Sequence, residues 1–201
     1  AWRDERVEAC EATHGRGEQS AELLDLRLRC LDERAGELSS LVGSFAIPDT
    51  DLVQGAADAV DKLPAPAICG EVERLRARVP PPTDPAKEAL VATAEATRAS
   101  SQAARLAGRL EAAVTLADAA LQQAEATNYA PEIAAALVNR GEAGWAAGED
   151  IVARGYFDRA LRVGLAAGDD RLFADAARGN ARSALRITAD PAEIDRWFEL
   201  A

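Results

Sequence analysis

The side chains that could perform acid–base chemistry in this 201-residue chain are few. Two carboxylate pairs, Glu8 with Glu11 and Asp169 with Asp170, could in principle supply a general acid and a general base. The first pair suits the solvated face of a helix and the second suits a helix N-terminus, so we expect structural roles for both. His14, the one histidine, lies next to a predicted turn and is expected to be solvated. We therefore predict no catalytic residue and no enzyme activity for this chain.

The three cysteines do not form a metal-binding motif. Cys10, Cys30 and Cys69 have spacings that match no zinc pattern, so neither a metal nor a cofactor is expected. They are either buried thiols or include one disulfide. If the first helix turns near Gly15, Cys10 and Cys30 lie roughly 10 Å apart along the helix axis, too far for a bridge. A disulfide would then join Cys69 to Cys10 or to Cys30, and it would indicate an oxidising compartment.

The charge and hydropathy of the chain exclude several classes of partner. The formal net charge is −11, and no window contains a run of Lys and Arg. Nucleic acids and anionic membrane surfaces are therefore poor candidate partners. No apolar run approaches the roughly 20 residues of a membrane-spanning helix. Because the sequence opens without methionine, in what already resembles a helix, we expect it to be part of a longer polypeptide.

A proline-rich stretch at 80–85 divides the chain, because consecutive prolines cannot continue a helix. The sequence predicts an N-terminal helical segment over 1–79 and a repeat region over 86–201, with the last repeat truncated. Few aromatic residues and abundant Ala, Leu and Val favour an all-α fold. The N-terminal helices are predicted near 2–14, 19–42, 51–63 (capped by residues 48–50) and 70–78.

In the second region, small residues recur every 40 positions. Such columns are typical of a helical-repeat array, in which helices pack closely in pairs. The caps Asn128 and Gly168 keep the same period. The aligned columns are Ala96, Ala136 and Ala176; Ser101, Gly141 and Ala181; Ala104, Gly144 and Ala184; Gly108 and Gly148; Ala113 and Ala153; and Ala120-Leu121 and Ala160-Leu161.

This pattern resembles the tetratricopeptide repeat. That family has a small residue midway along its first helix (helix A), a glycine near the turn, and an alanine, an aromatic residue and another alanine in its second helix (helix B). Phe157 occupies the aromatic position of the second unit, whereas the first unit has Ala117, and the period is 40 rather than about 34 residues. The resemblance implies antiparallel helix pairs in a right-handed array that binds protein or peptide.

The resemblance also implies a concave surface lined by one face of the A helices. Arginines on that face would favour a ligand with acidic residues or a C-terminal carboxylate. Asn139 and Tyr129 are weaker candidates. The residues predicted to line the surface are Arg98, Gln102, Arg105, Val138, Glu142, Trp145, Arg178 and Arg182.

The N-terminal segment resembles the region that precedes the repeats in large bacterial serine/threonine protein kinases of the myxobacterial type. The stretches that carry this resemblance are 9–13, 16–20, 23–27, Cys30-Leu31 and Leu63-Pro64 with Cys69. In that family a kinase domain and a membrane-spanning helix come first, and the kinase motifs are absent from this sequence.

The resemblance implies a noncatalytic sensor or scaffold region in the periplasm, attached to the inner membrane only through the parent chain. The alternative is a cytoplasmic helical-repeat adaptor or regulator arm with reduced cysteines. The two predictions share the fold and the binding surface.

Overall fold

A computed structural model describes residues 1–46 and 50–200, and the regular elements of this part are all helices, without strands. The prediction of an all-α helical-repeat fold is confirmed. The chain forms two compact units, Ala1–Arg78 and Val79–Ala201, which divide next to the predicted proline boundary.

The first unit begins with α1 (Trp2–Cys10), which continues as one π-helical turn, Glu11–Gly15. Helix α2 (Ala21–Ser44) starts after Ser20, whose Oγ accepts a hydrogen bond from the backbone N–H of Leu23 at 3.2 Å. The remaining helices of this unit are α3 (Thr50–Asp61), a 3₁₀ turn (Pro66–Gly70) and α4 (Val72–Arg76). The predicted cap at 48–50 falls mainly on residues 47–49, outside the described part.

A disulfide lies within the core of the first unit. Cys30 on α2 is bonded to Cys69 in the 3₁₀ turn, with a Cα–Cα distance of 5.6 Å, and Cys10 is a free thiol. The pairing is one of the two that the sequence left open. Leu31 is fully buried beside the bridge, and the indole Nε1 of Trp2 donates a hydrogen bond to its carbonyl oxygen at 2.6 Å. The disulfide thus attaches a short turn to the longest helix of the unit.

The second unit consists of three successive helix pairs. Each A helix packs on the B helix that follows it, and α5, α7 and α9 also contact one another in order. The A helices therefore lie side by side. The A helices are α5 (Pro85–Leu106), α7 (Ala130–Ala146) and α9 (Asp170–Ile187), and the B helices are α6 (Leu110–Thr127), α8 (Asp150–Ala167) and α10 (Pro191–Leu200).

The turns between A and B helices repeat with the predicted period of 40 residues. Gly108 and Gly148 have φ values of 76° and 82°, a left-handed conformation that glycine adopts without steric cost. The turns close with the same backbone hydrogen bond, from Arg109 N to Ala104 O and from Glu149 N to Gly144 O, each at 2.8 Å. The caps Asn128 and Gly168 are also left-handed, with φ of 52° and 69°.

Most of the small residues in the aligned columns are buried where helices touch. Ala136, Ala176, Ala113 and Ala153 are all fully buried. Ala96, the first member of its column, is exposed. The difference follows from its position, because α5 is the first A helix of the unit and no earlier A helix of that unit covers it.

The second repeat has a fully buried aromatic ring at its centre. Phe157 of α8 lies between Gly141 of α7 and Gly179 of α9, and a Cβ built on either glycine would lie within 3.0 Å of three ring atoms. The absence of a side chain at these two positions makes room for the ring.

Candidate ligand-binding site

The predicted site residues fall on the three A helices, and we call their common surface the A-helix face. The structure brings together only part of this set. Glu142 of α7 forms an ion pair with Arg182 of α9, and the Arg182 guanidinium carbon lies 5.1 Å from the centre of the Trp145 ring. The A-helix face comprises Arg98, Gln102 and Arg105 on α5, Val138, Glu142 and Trp145 on α7, and Arg178 and Arg182 on α9.

Two predicted arginines are engaged in contacts within the chain. Arg98 donates from Nε and Nη2 to the two carboxylate oxygens of Glu132, at 3.0 and 3.4 Å, and only 3% of Glu132 is exposed. A buried carboxylate requires a partner, so Arg98 has a structural role there. Arg178 pairs with Asp175 on its own helix.

Three further candidates also have structural contacts. Val138 packs against the core around Leu137 and is not primarily a surface residue. Asn139 donates a hydrogen bond to Ser101 Oγ at 2.9 Å, and the hydroxyl of Tyr129 donates to the carbonyl of Val79 at 2.8 Å. Gln102 is partly buried on α5.

Charged residues surround Trp145, which belongs to the A-helix face. The guanidinium carbon of Arg186 lies 3.9 Å from the centre of the indole, closer than that of Arg182. Arg186 also donates to the carbonyl oxygen of Trp145 at 2.9 Å and to Asp150 at 3.3 Å. Cations over an indole face are attracted by its π-electrons, so these contacts fix the ring and both arginines relative to one another.

We call Arg105, Glu142, Trp145, Arg182 and Arg186 the arginine–tryptophan cluster. Arg186 was not among the sequence candidates. Its signal was present in the sequence, since it follows Arg182 by four residues and therefore lies on the same face of α9.

Arg105 differs from the other arginines of the cluster because its charge is not neutralised. Within the described part of the chain it has no hydrogen-bond or ion-pair partner. Burial lowers its pKa below the usual arginine value. Burial also lowers the pKa of Arg182, and the positive charge of Arg105 lowers it further, even though Glu142 pairs with Arg182.

The residues considered for acid–base chemistry have ordinary structural roles or are exposed. Glu8 and Glu11 both pair with Arg16 on the surface, and His14 is exposed. Asp169 begins α9 and accepts a hydrogen bond from the backbone N–H of Leu172 at 3.0 Å, the role expected for a helix N-terminus.

Within residues 1–46 and 50–200, no group of three or more His, Cys, Asp and Glu side chains could hold a metal ion. No helix in this part of the chain has the length and apolar character needed to cross a membrane. In comparisons with known proteins, the chain matches no family model, no curated protein and no solved structure.

Proposed function

We propose that this chain is a noncatalytic region that binds a protein or peptide through its A-helix face. The observation that supports the proposal most directly is the arginine–tryptophan cluster, because the Arg105 side chain has no partner among the described residues while the chain carries a net charge of −11. An uncompensated, partly buried guanidinium does not stabilise a fold. It does attract an acidic segment of a ligand, which would neutralise its charge. Tryptophan and arginine are both enriched at protein interfaces, and Trp145 lies beside Arg182 and Arg186 in this cluster.

We further propose that the region is the extracytoplasmic sensor or scaffold arm of a transmembrane bacterial serine/threonine kinase. This part of the proposal rests on the resemblance of the N-terminal segment to that family. The Cys30–Cys69 disulfide supports it, because disulfides persist in oxidising compartments and are rare in the cytosol. Ligand binding would act by favouring one arrangement of the parent chains over another.

A peptide-display selection tests the binding proposal. The intact chain is immobilised, a random peptide library is selected on it, and enriched peptides are measured by isothermal titration calorimetry. We expect acidic peptides whose affinity falls at least about tenfold in an Arg182→Glu variant. The matched control is Arg159→Glu on α8, which makes the same charge change at an exposed pair with Glu125. Equal effects of the two variants, or no enrichment, would contradict the proposal.

A thiol titration tests the proposed location. The protein is isolated from its native host without reductant, by lysis directly into denaturant that contains an alkylating reagent, and the thiols that react are counted by mass spectrometry. One reactive thiol, that of Cys10, is expected if Cys30 and Cys69 are bonded. Three thiols would favour the cytoplasmic adaptor instead.

A further inference from the structure

The proline-rich stretch is held at both of its ends within the second unit. At its start, the hydroxyl of Tyr129 donates a hydrogen bond to the carbonyl oxygen of Val79 at 2.8 Å, across 50 positions of the sequence. At its end, Asp84 caps α5 by accepting a hydrogen bond from the backbone N–H of Ala86 at 3.0 Å. Both ends are therefore fixed on the same compact unit.

Tyr129 is itself held in place, because it lies at the corner between α6 and α7. It is the residue directly before α7, and its backbone N–H donates to Thr127 Oγ1 at 3.0 Å. Thr127 is only 2% exposed, and its hydroxyl donates to the carbonyl oxygen of Ala124 at 2.6 Å. Asn128, between the two, has the left-handed φ that ends α6. The corner is thus an ordered support for the tyrosine ring.

The stretch has little conformational freedom between its two ends. Proline fixes its own φ near −65° and restricts the residue before it to extended conformations. Within 79–85, Thr83 is the one residue that is neither a proline nor followed by a proline. The backbone here is consequently stiff as well as fixed at its ends.

On the other side of the boundary, Arg78 is attached to the first unit. Its Nη1 donates to Glu33 Oε1 on α2 at 2.8 Å, and each side chain is only 22% exposed. Its backbone N–H also donates to the carbonyl oxygen of Leu75 at 3.3 Å. Two consecutive residues, Arg78 and Val79, are therefore anchored in different units.

We propose that residues 79–84 form a rigid strap anchored on Tyr129, in place of the flexible linker that a boundary between two units suggests. The strap fixes the point at which the chain enters the repeats and confines bending at the junction to the backbone of Arg78 and Val79. Because α7 begins directly after the anchor and carries Trp145, a ligand that displaces α7 would displace Val79 with it. This last consequence rests on the proposed function, whereas the strap does not.

Removal of one hydroxyl group tests the strap in the intact chain. Tyr129→Phe removes the anchoring hydroxyl and keeps the ring, and Tyr156→Phe, at the second of the two tyrosines, is the matched control. Nitrogen-15 relaxation gives the amide order parameters of Val79 and Thr83. We expect both to lie near about 0.85 in the wild type, as in ordered backbone, and the Val79 value to fall below about 0.6 in Tyr129→Phe. Thr83 should stay ordered in both, because the α5 cap holds the residue after it.

Trypsin cleavage after Arg78 provides a second measurement, because a protease acts on a segment that has opened locally. Mass spectrometry identifies the cut by its fragments, 1–78 and 79–201. Tyr129→Phe should accelerate this cut about two- to tenfold, the factor that one net hydrogen bond contributes. Cleavage after the exposed Arg16 is the internal reference and should keep its wild-type rate. Tyr156→Phe should change neither rate.

Three results would overturn the proposal. The first is an order parameter of Val79 or Thr83 below about 0.6 in the wild type, which is the behaviour of a free linker. The second is a Tyr129→Phe variant with unchanged order at Val79 and unchanged cleavage after Arg78. The third is an equal effect of Tyr156→Phe. All of these measurements are made without ligand, so a failure of the strap leaves the proposed binding function untouched, and the reverse also holds.

Discussion

A single methyl group added at Gly179 should destabilise the second unit, whereas the same methyl added at Gly155 should stabilise it. Both glycines lie within helices at ordinary helical φ values, and alanine is the better helix former by about 1 kcal/mol. They differ only in what the methyl would meet. At Gly155 a Cβ would meet no described atom within 4 Å beyond its own stretch of helix backbone, and at Gly179 the Cβ would lie within 3.0 Å of three atoms of the Phe157 ring.

The magnitude follows from the lack of space around the ring. Phe157 is 0% exposed, and Gly141 confines it from α7 just as Gly179 does from α9, so the ring cannot move away from the new methyl. Overpacking of a core costs about 1–3 kcal/mol, and this confinement favours the upper end. After the gain in helix propensity, Gly179→Ala should lower the free energy of unfolding by about 2 kcal/mol. Gly155→Ala should raise it by about 0.5–1 kcal/mol.

Urea unfolding monitored by circular dichroism measures both changes, and a double-mutant cycle tests their cause. Phe157→Ala alone should cost about 3–5 kcal/mol by leaving a cavity. In that background Gly179→Ala should become neutral or stabilising, because the methyl then enters vacant space. Equal stability of the two glycine variants, or additive costs of Gly179→Ala and Phe157→Ala, would refute the packing argument.

Three other predictions concern local contacts. Cys69→Ser should lower the stability of the first unit by about 2–5 kcal/mol through loss of the bridge to Cys30, measured by thermal unfolding without reductant, and an unchanged transition would contradict this. Asp169→Ala should cost about 1 kcal/mol in urea unfolding through loss of the α9 cap, whereas Asp169→Asn should retain most of it. A hydrogen bond from Thr188 and the charge of a nearby arginine lower the pKa of Glu193. The stabilisation that ionised Glu193 gives the folded state is therefore fully present above the usual glutamate pKa, and it is lost as the pH falls through the lowered pKa. The protection factors of the α10 amides, which correct for the intrinsic pH dependence of exchange, should fall at low pH in the wild type, and Glu193→Gln should remove that fall; an unchanged protection factor in the wild type would contradict this.

The repeat period could be predicted because the residues that encode it act locally. Gly108 and Gly148 adopt left-handed φ values that favour glycine, and Asn128 and Gly168 end their helices for the same reason. At these positions the residue type alone indicates the role, because few other residues adopt a left-handed conformation. The number, order and approximate bounds of the A and B helices followed from these signals and from the proline at the start of α5.

The charge pairing on the A-helix face could not be predicted, because it depends on which distant side chains meet. Arg98 and Arg105 occupy similar positions on α5, and the sequence predicts the same exposed role for both. Glu132 then neutralises Arg98, and no such carboxylate approaches Arg105 within the described chain. Arg98 and Glu132 are 34 positions apart in the sequence, and no local pattern around either residue indicates that they meet.

The two repeats differ at the aromatic position of helix B. The sequence has Ala117 where the second unit has Phe157, which suggests a missing core residue in the first unit. The facing positions change with it, however, since Ser101 and Asn139 stand 40 residues before the glycines that confine the ring. Asn139 donates to Ser101 Oγ, and Ser101 donates to the carbonyl of α6 at residue 113, each at 2.9 Å, so the polar groups placed in this core are hydrogen-bonded.

The two repeats therefore solve one packing problem in two ways. In one repeat, the large apolar ring of Phe157 fills the space, and the residues that contact it, Gly141 and Gly179, have no side chain. In the other, buried Ala117 takes the place of the ring, and the two equivalent residues, Ser101 and Asn139, carry hydrogen-bonded polar side chains. Close packing requires the summed volume at such a contact to be conserved, while the individual residues can differ. The substitution of alanine for the aromatic residue is consequently a compensated variation within one fold, and it does not mark a break in the array.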